Sequence, residues 1–486
     1  MDDAKRTDLF ENKPILLAVL SLALPSIIGQ IILVIYNMAD TLFVGLTENY
    51  ILINAVTICM PAYMILTAIS NLFGVGGSSV IARSLGKGNE KRARRASSFA
   101  FWGCLVVSII YCAIIAIFAE QIADILGANG DSETIKHAAY YLRIAVAICG
   151  VPTAINTLFS HLIRSQGLSF HASFGIALGG ILNVALDPLF IFVICGKDNA
   201  AVGAALATGL SNVIALLYYV FVFIFLKKKL IVDISFTKKM FKDGLIREVM
   251  LIGLPACLMT LFENISYAIL GNQMGRLSAE ALTGVEVAKK VNMFAHNAVR
   301  GMAQGVLPLI GYNKSSGNRR RMRKIVYTSG LISLGIALVA AAINMIPFTG
   351  KALISLFLHG DVENLAVRQN YAYWFLFILS IGAPFSAIAY TVISFFQAVG
   401  KAWRSLILAL LRKGILDIPL MFILQAIATT DFKPYSIALA TPVADAICCI
   451  VALLLFFIYI KYHGHNRPEA SVKKVERNNT APQLSE

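Results

Sequence analysis

Two short acidic patterns interrupt an otherwise apolar stretch of chain. Tyr36-Asn37-Met38-Ala39-Asp40 lies late in the first apolar run, and Asp40 is the sole charged residue between Lys13 and Glu48. Asn183 and Asp187 stand four apart, with Pro188 directly behind. On a helix that spacing puts both on one face, and the proline removes a helical hydrogen bond at Val184, which predicts a kink there. A charged group in hydrocarbon costs about 2.5–3.5 kcal/mol on insertion scales, so an acid kept there usually faces a bundle interior and serves a purpose. Carboxylate and amide oxygens, backbone carbonyls freed at the kink and the Thr208 hydroxyl could gather around a proton or a hard cation such as Na⁺. The competing reading is plainer. Asn183 and Asp187 would only hydrogen-bond one helix to another, and Asp40 would sit at an outer rim.

Further along, Glu263 stands in Phe262-Glu263-Asn264, followed by His296, Asn297 and Arg300 in the next run and Asp445 in the last. A histidine there offers either a proton carrier or an ordinary helix contact. Arg143 and Arg300 could be counter-ions to the acids or could snorkel to an interface. Glu286 with Lys289 and Lys290 has the spacing of a local ion pair. There is no Walker A loop, nucleophile elbow or HExxH, so no enzyme is expected. An intramembrane enzyme using Asp40 and Asp187 as a pair, or a passive channel, are the remaining alternatives outside active transport.

The elements that position these residues are membrane helices. The chain has 486 residues, 58% hydrophobic and 14% charged, with mean hydropathy +0.73; soluble domains carry roughly 25% charge. Runs long enough to cross a bilayer fall near 15–44, 52–80, 97–119, 138–160, 169–195, 201–226, 248–275, 282–310, 325–347, 366–397, 403–429 and 435–460. That predicts an all-α polytopic protein of twelve spans. The connections after spans 2, 4, 6, 8 and 10 hold 22 Lys and Arg, and the alternate ones five: Lys136, Lys197, Arg276, Lys351 and Lys433. The positive-inside rule then places both termini in the cytoplasm. It also accounts for the net charge of +15 without a nucleic-acid partner. The eight cysteines all lie in apolar runs and read as buried thiols.

A repeat is legible at offsets of 229–233: Pro25 with Pro255, Gly88-Asn89 with Gly317-Asn318, Gly150-Val-Pro152 with Gly382-Ala-Pro384, and Ala205–Thr208 with Ala438–Thr441. Six spans per copy implies two lobes related by a pseudo-two-fold axis along the membrane normal. The expected organisation is a cytoplasmic N-terminus (1–13), a first lobe (14–226), an amphipathic linker (227–247), a second lobe (248–461) and a disordered cytoplasmic tail (462–486). The repeat is not symmetric in its acids. Leu270 stands where the first copy has Asp40, and Asn183–Asp187 meets only the region of Asp417 and Pro419. The glycines of Gly74-Val-Gly76-Gly77 and of Gly301 with Gly305 read as close-packing helix surfaces.

With twelve spans in two lobes, Tyr36-x3-Asp40, Asn183-x3-Asp187-Pro188 and glycine-plus-basic loops after spans 2 and 8, nearly the whole chain resembles the multidrug and toxic compound extrusion (MATE) family. The resemblance is to its MepA-like and DinF-like bacterial branch. It implies a plasma-membrane antiporter, monomeric, exporting bulky, mostly cationic, amphipathic drug-like compounds in exchange for H⁺ or Na⁺. Membrane lipids would be its surroundings, and no cofactor is implied beyond the coupling ion. Tyr36, Asp40, Asn183, Asp187 and Thr208 match positions that form the first-lobe cation or proton site in related transporters, with Na⁺ held at Asp40, Asn183, Asp187 and Thr208. Glu263, with His296 and Arg300, resembles a second-lobe site or substrate contact. The tenth-span acid of sodium-using members is missing, since Tyr373–Gln397 contains none. The alternative is a lipid-linked oligosaccharide flippase of the same superfamily, disfavoured here by the span count and by few expected buried basic residues.

Overall fold

The computed structural model describes residues 6–47, 49–128, 130–358 and 363–463; most of the expected tail lies outside them. Every regular element among the described residues is helical. The main helices are α1 (Ile15–Gly45), α2 (Tyr50–Gly86), α3 (Glu90–Ala123), α4 (Ser132–Tyr141), α5 (Gly150–Arg164), α6 (Ser169–Pro188) and α7 (Ala200–Phe225). They continue with α8 (Leu245–Leu277), α9 (Ala279–Ser315), α10 (Arg319–Met345), α11 (Pro347–Ser355), α12 (Leu365–Ala398), α13 (Ala402–Leu410), α14 (Ile418–Ile427) and α15 (Lys433–His463).

Nine helices among the described residues are long and apolar enough to cross a bilayer. A tenth is counted if the pair Ser132–Ile148 and Gly150–Arg164, bent by 48°, is one span. The two remaining expected spans are not in that set: α9 carries Asn292, His296, Asn297, Arg300 and Gln304 along its middle, and the 403–429 run carries Arg412, Lys413 and Asp417 and is divided among shorter helical pieces. Local signals start the helices where the basic loops end. Gly88 and Gly317 take positive φ (69° and 84°), and the asparagine after each caps the next helix. Asn89 accepts from the Arg92 amide at 2.9 Å and Asn318 from the Arg321 amide at 3.0 Å.

The packing that positions the site depends on missing side chains. A Cβ on Gly76 would run into the Val249 carbonyl, and one on Gly253 into that of Leu72. On Gly301 and Gly305 it would lie 2.7 Å and 2.6 Å from the Cα atoms of Ile27 and Ala23. So α2 meets α8, and α1 meets α9, backbone to backbone, as the glycine pattern implies. These contacts sit toward the helix ends that adjoin the basic loops. Polar bonds close the same end: Arg83 and Arg92 bind Glu248 at 2.7 Å and 2.5 Å, and the Ser79 hydroxyl donates to the Gln397 carbonyl at 2.6 Å. Farther along, α2 and α8 flank an apolar cleft of about 530 Å³ lined by Met64, Ile65, Ile265, Ile269 and Phe422. Within the 227–247 linker, residues 230–237 run without helix between two short turns, Lys227–Lys229 and Lys238–Phe241, and the Trp102 indole of α3 donates to the Ile234 carbonyl at 2.9 Å.

Candidate functional site

A cavity of about 190 Å³ lies between the first- and second-half helices. Tyr36, Asn183 and Thr208 line one side, and Glu263, His296 and Arg300 line the other. Six of the eight site residues expected from sequence thus share one chamber. The other two, Asp40 and Asp187, are buried behind its wall.

On the first-half side, α6 brings Asn183 and Asp187 onto one face as their spacing requires. The Asn183 amide nitrogen donates to Asp187 Oδ1 and to Thr208 Oγ1, both at 3.2 Å. The expected kink at Pro188 takes another form. The helix runs on through a widened, π-type turn at Leu189–Ile194, of the kind often found at functional sites. Gly180 leaves room for the Tyr36 ring, which would lie 3.2 Å from a Cβ there. Asp40 Oδ1, Asn183 Oδ1 and Asp187 Oδ2 are buried without a hydrogen-bond partner, as is Asn156 Oδ1 on the cavity wall. Among the described residues neither Asp40 nor Asp187 forms an ion pair, while the second-half acids Glu263, Asp445 and Asp417 do. Buried acids without a counter-charge call for a proton or a small cation, and carboxylate and amide oxygens are the donors a hard cation takes.

On the opposite side the charges are already matched. His296 Nε2 lies 2.8 Å from both Glu263 Oε1 and the Tyr390 hydroxyl, and Arg300 stands 3.6 Å from Glu263 Oε2. His296 is therefore the centre of a polar cluster, not the isolated helix contact that sequence left open. Arg143 lies elsewhere, in an exposed pair with Glu120 at 3.0 Å. Glu286 and Lys289 form the expected local pair at 2.7 Å.

The expectation of few buried basic residues is wrong. Arg164, Arg412 and Lys413 are among the largest fully buried side chains. Arg412 Nε binds Asp445 Oδ1 at 2.6 Å and Lys413 Nζ binds Asp417 Oδ2 at 3.0 Å. Adjacent basic residues in mid-run, four before an acid, were the sequence signal; the apolar runs around them hid it.

A model of the MatE family matches residues 25–189 and 255–423, most of the chain, in two stretches that begin 230 apart (255 − 25). The chain belongs to the MatE family. MatE proteins are transporters, not enzymes, and this one is a multi-pass membrane protein. Its curated relatives include the multidrug export protein MepA of Staphylococcus aureus strain MRSA252, 28% identical over 92% of this chain and 95% of that protein. MepA of Staphylococcus saprophyticus is likewise 28% identical over the same shares. Among solved structures, an outward-facing multidrug resistance MATE transporter superposes with TM-score 0.83 at 23% identity, covering 94% of this chain and 98% of that one. A transporter from Pyrococcus furiosus, described as having a binding pocket of reversed polarity, superposes at 0.80 with 23% identity over the same shares. The fold is thus the MatE transporter fold.

Proposed function

We propose that this MatE protein is a secondary active antiporter that exports bulky amphipathic, mostly cationic compounds in exchange for H⁺ or Na⁺. The observation that carries the reading is the set of unpartnered buried oxygens on Asp40, Asn183 and Asp187, beside a cavity lined by Tyr36, Asn183 and Thr208. In this reading the chain acts as a monomer with twelve spans in two six-helix lobes, 14–226 and 248–461, joined by the 227–247 linker. It sits in the plasma membrane with both termini cytoplasmic. The paired family matches and the repeated Gly-Asn loops support two copies; the basic loops support the orientation.

The basic ends are packed shut while the opposite ends flank a cleft, so with that orientation the structure is closed toward the cytoplasm. A cavity of about 190 Å³ falls below the roughly 300–1,000 Å³ of drug-sized sites. Substrate entry therefore requires the lobes to part. An ion arriving from outside neutralises Asp40 and Asp187 and favours one packing of the first lobe; a cationic substrate from inside needs the ionised acids and favours the other. Each ligand shifts the balance only by its difference in affinity between the two states. A flippase is not favoured, because Arg412 and Lys413 are each neutralised by a carboxylate and do not make the cavity basic. The test is efflux of a cationic dye by Asp40→Asn and Asp187→Asn in inverted vesicles. Loss of gradient-dependent efflux is expected; full efflux by both variants would overturn the site.

A further inference from the structure

The second half carries its own version of the first-half site, and the two differ in one decisive atom. At offset 230, Tyr36 answers to Ser266, Asn183 to Lys413 and Asp187 to Asp417; at 233, Thr208 answers to Thr441. The geometry follows the same plan. Asp417 Oδ1 accepts from the Thr441 hydroxyl at 2.9 Å, and Oδ2 accepts from the Ser266 hydroxyl at 2.5 Å and from Lys413 Nζ at 3.0 Å. Lys413 and Asp417 lie within a widened helical turn, Leu411–Asp417, whereas the first-half turn, Leu189–Ile194, follows Asp187. The acid Asp40 is replaced by Leu270, which is buried. At the first-half site Asp40, Asn183 and Asp187 each keep an oxygen without a partner. At its second-half copy both Asp417 oxygens are satisfied, and Lys413 pairs with Asp417 beside the separate Arg412–Asp445 pair.

We propose that Lys413 is a tethered cation: its ammonium permanently fills the second-half copy of the ion site, so only the first half exchanges an ion in each cycle. Lys413 is then the residue that sets coupling stoichiometry. The replacement of Asp40 by Leu270 fits this charge balance, because a fixed monovalent ammonium requires one carboxylate, and a second would be left unpaired in the bundle. The ammonium also stands 5.4 Å from the centre of the Tyr267 ring, which lines the central cavity. It adjoins a separate pocket of about 30 Å³ lined also by Lys289, His296, Arg412, Thr441 and Asp445, space for a water. The idea rests on the proposed cation reading of the first-half site, but its test does not pass through that site.

The experiment uses the purified full chain in detergent. Lys413→Asn puts at this position the residue found at 183, surrounding a cation with oxygens from Asp417, Thr441 and Ser266. Equilibrium ²²Na⁺ binding is expected to rise by one ion per chain over the parent. Adding Asp417→Asn should remove that ion, and adding Asp187→Asn should leave it. A parent that binds no Na⁺, with Lys413→Asn binding one, would sustain the tethered cation and leave the first half to protons. In parallel, Lys413→Ala should lower the thermal midpoint, with methylammonium restoring most of the loss and the bulkier choline restoring none. If Lys413→Ala does not fold, Lys413→Gln, which keeps the length and a donor, takes its place in that comparison. No added ion and no methylammonium rescue would make Lys413 a plain structural ion pair and overturn the proposal.

Discussion

Consider Arg412→Met. Arg412 is 1% exposed and its Nε binds Asp445 Oδ1 at 2.6 Å. A second nitrogen donates to the Ser386 hydroxyl at 2.9 Å, and the guanidinium lies 4.3 Å from the Tyr390 ring centre. Met fills most of the volume but leaves Asp445, itself buried, without a cation. Breaking a buried pair from one side costs roughly 3–5 kcal/mol, because the uncompensated charge stays behind. At 1.4 kcal/mol per factor of ten, that is about a hundred-fold to a few thousand-fold in the folded-to-unfolded ratio. Arg412→Met/Asp445→Leu removes both charges and should recover most of the loss, since replacing a buried pair with apolar residues is often neutral. Thermal unfolding in detergent, followed by tryptophan fluorescence, ranks the three proteins. The reasoning is refuted if the double variant is no more stable than Arg412→Met, or if the single variant loses less than about 1 kcal/mol, the scale of an exposed pair.

Other outcomes follow from the same contacts. His296→Ala removes the 2.8 Å partner of Glu263 and should destabilise the chain by about 1.5–3 kcal/mol, the scale of hydrogen bonds to charged groups; adding Glu263→Gln should recover part of it, as read by the thermal midpoint. Gly253→Val would drive its Cβ into the Leu72 carbonyl, so labels on α2 and α8 near the basic loops should move apart in spin-label distance measurements. Unchanged distances would mean that the glycine contact does not hold that end closed. Arg143→Ala breaks an exposed pair with Glu120 and should change stability by less than about 0.5 kcal/mol, with dye efflux at the parental rate.

The apolar helices, the doubled family match and the shared face of Asn183 and Asp187 were legible because each rests on a short pattern. Asn183 and Asp187 needed only a helix to share a face, and Gly88-Asn89 and Gly317-Asn318 needed only their own backbones to turn and cap. Gly76 and Gly253 announced close packing, though not which carbonyls they would meet. Partnership across the bundle was not legible. Glu263, His296 and Tyr390 come from α8, α9 and α12, and nothing local to any of them reveals the others. Asp417 and Asp445 stand out as acids, but Arg412 and Lys413 lie inside an apolar run that hides them, and with them the charge balance of the second half. The repeat held the clue: Asn212, which pairs with Asn156 through neutral amides at 3.2 Å, answers at offset 233 to Asp445, where an acid demands a cation.

The central claim is that Asp40 and Asp187 couple an ion to export. Its most direct test is transport in proteoliposomes with H⁺ and Na⁺ gradients imposed separately. The parent should accumulate a cationic substrate against its gradient under at least one ion gradient, and Asp40→Asn and Asp187→Asn should each abolish that accumulation while the proteins stay folded. Undiminished, gradient-dependent accumulation by both variants would contradict the account.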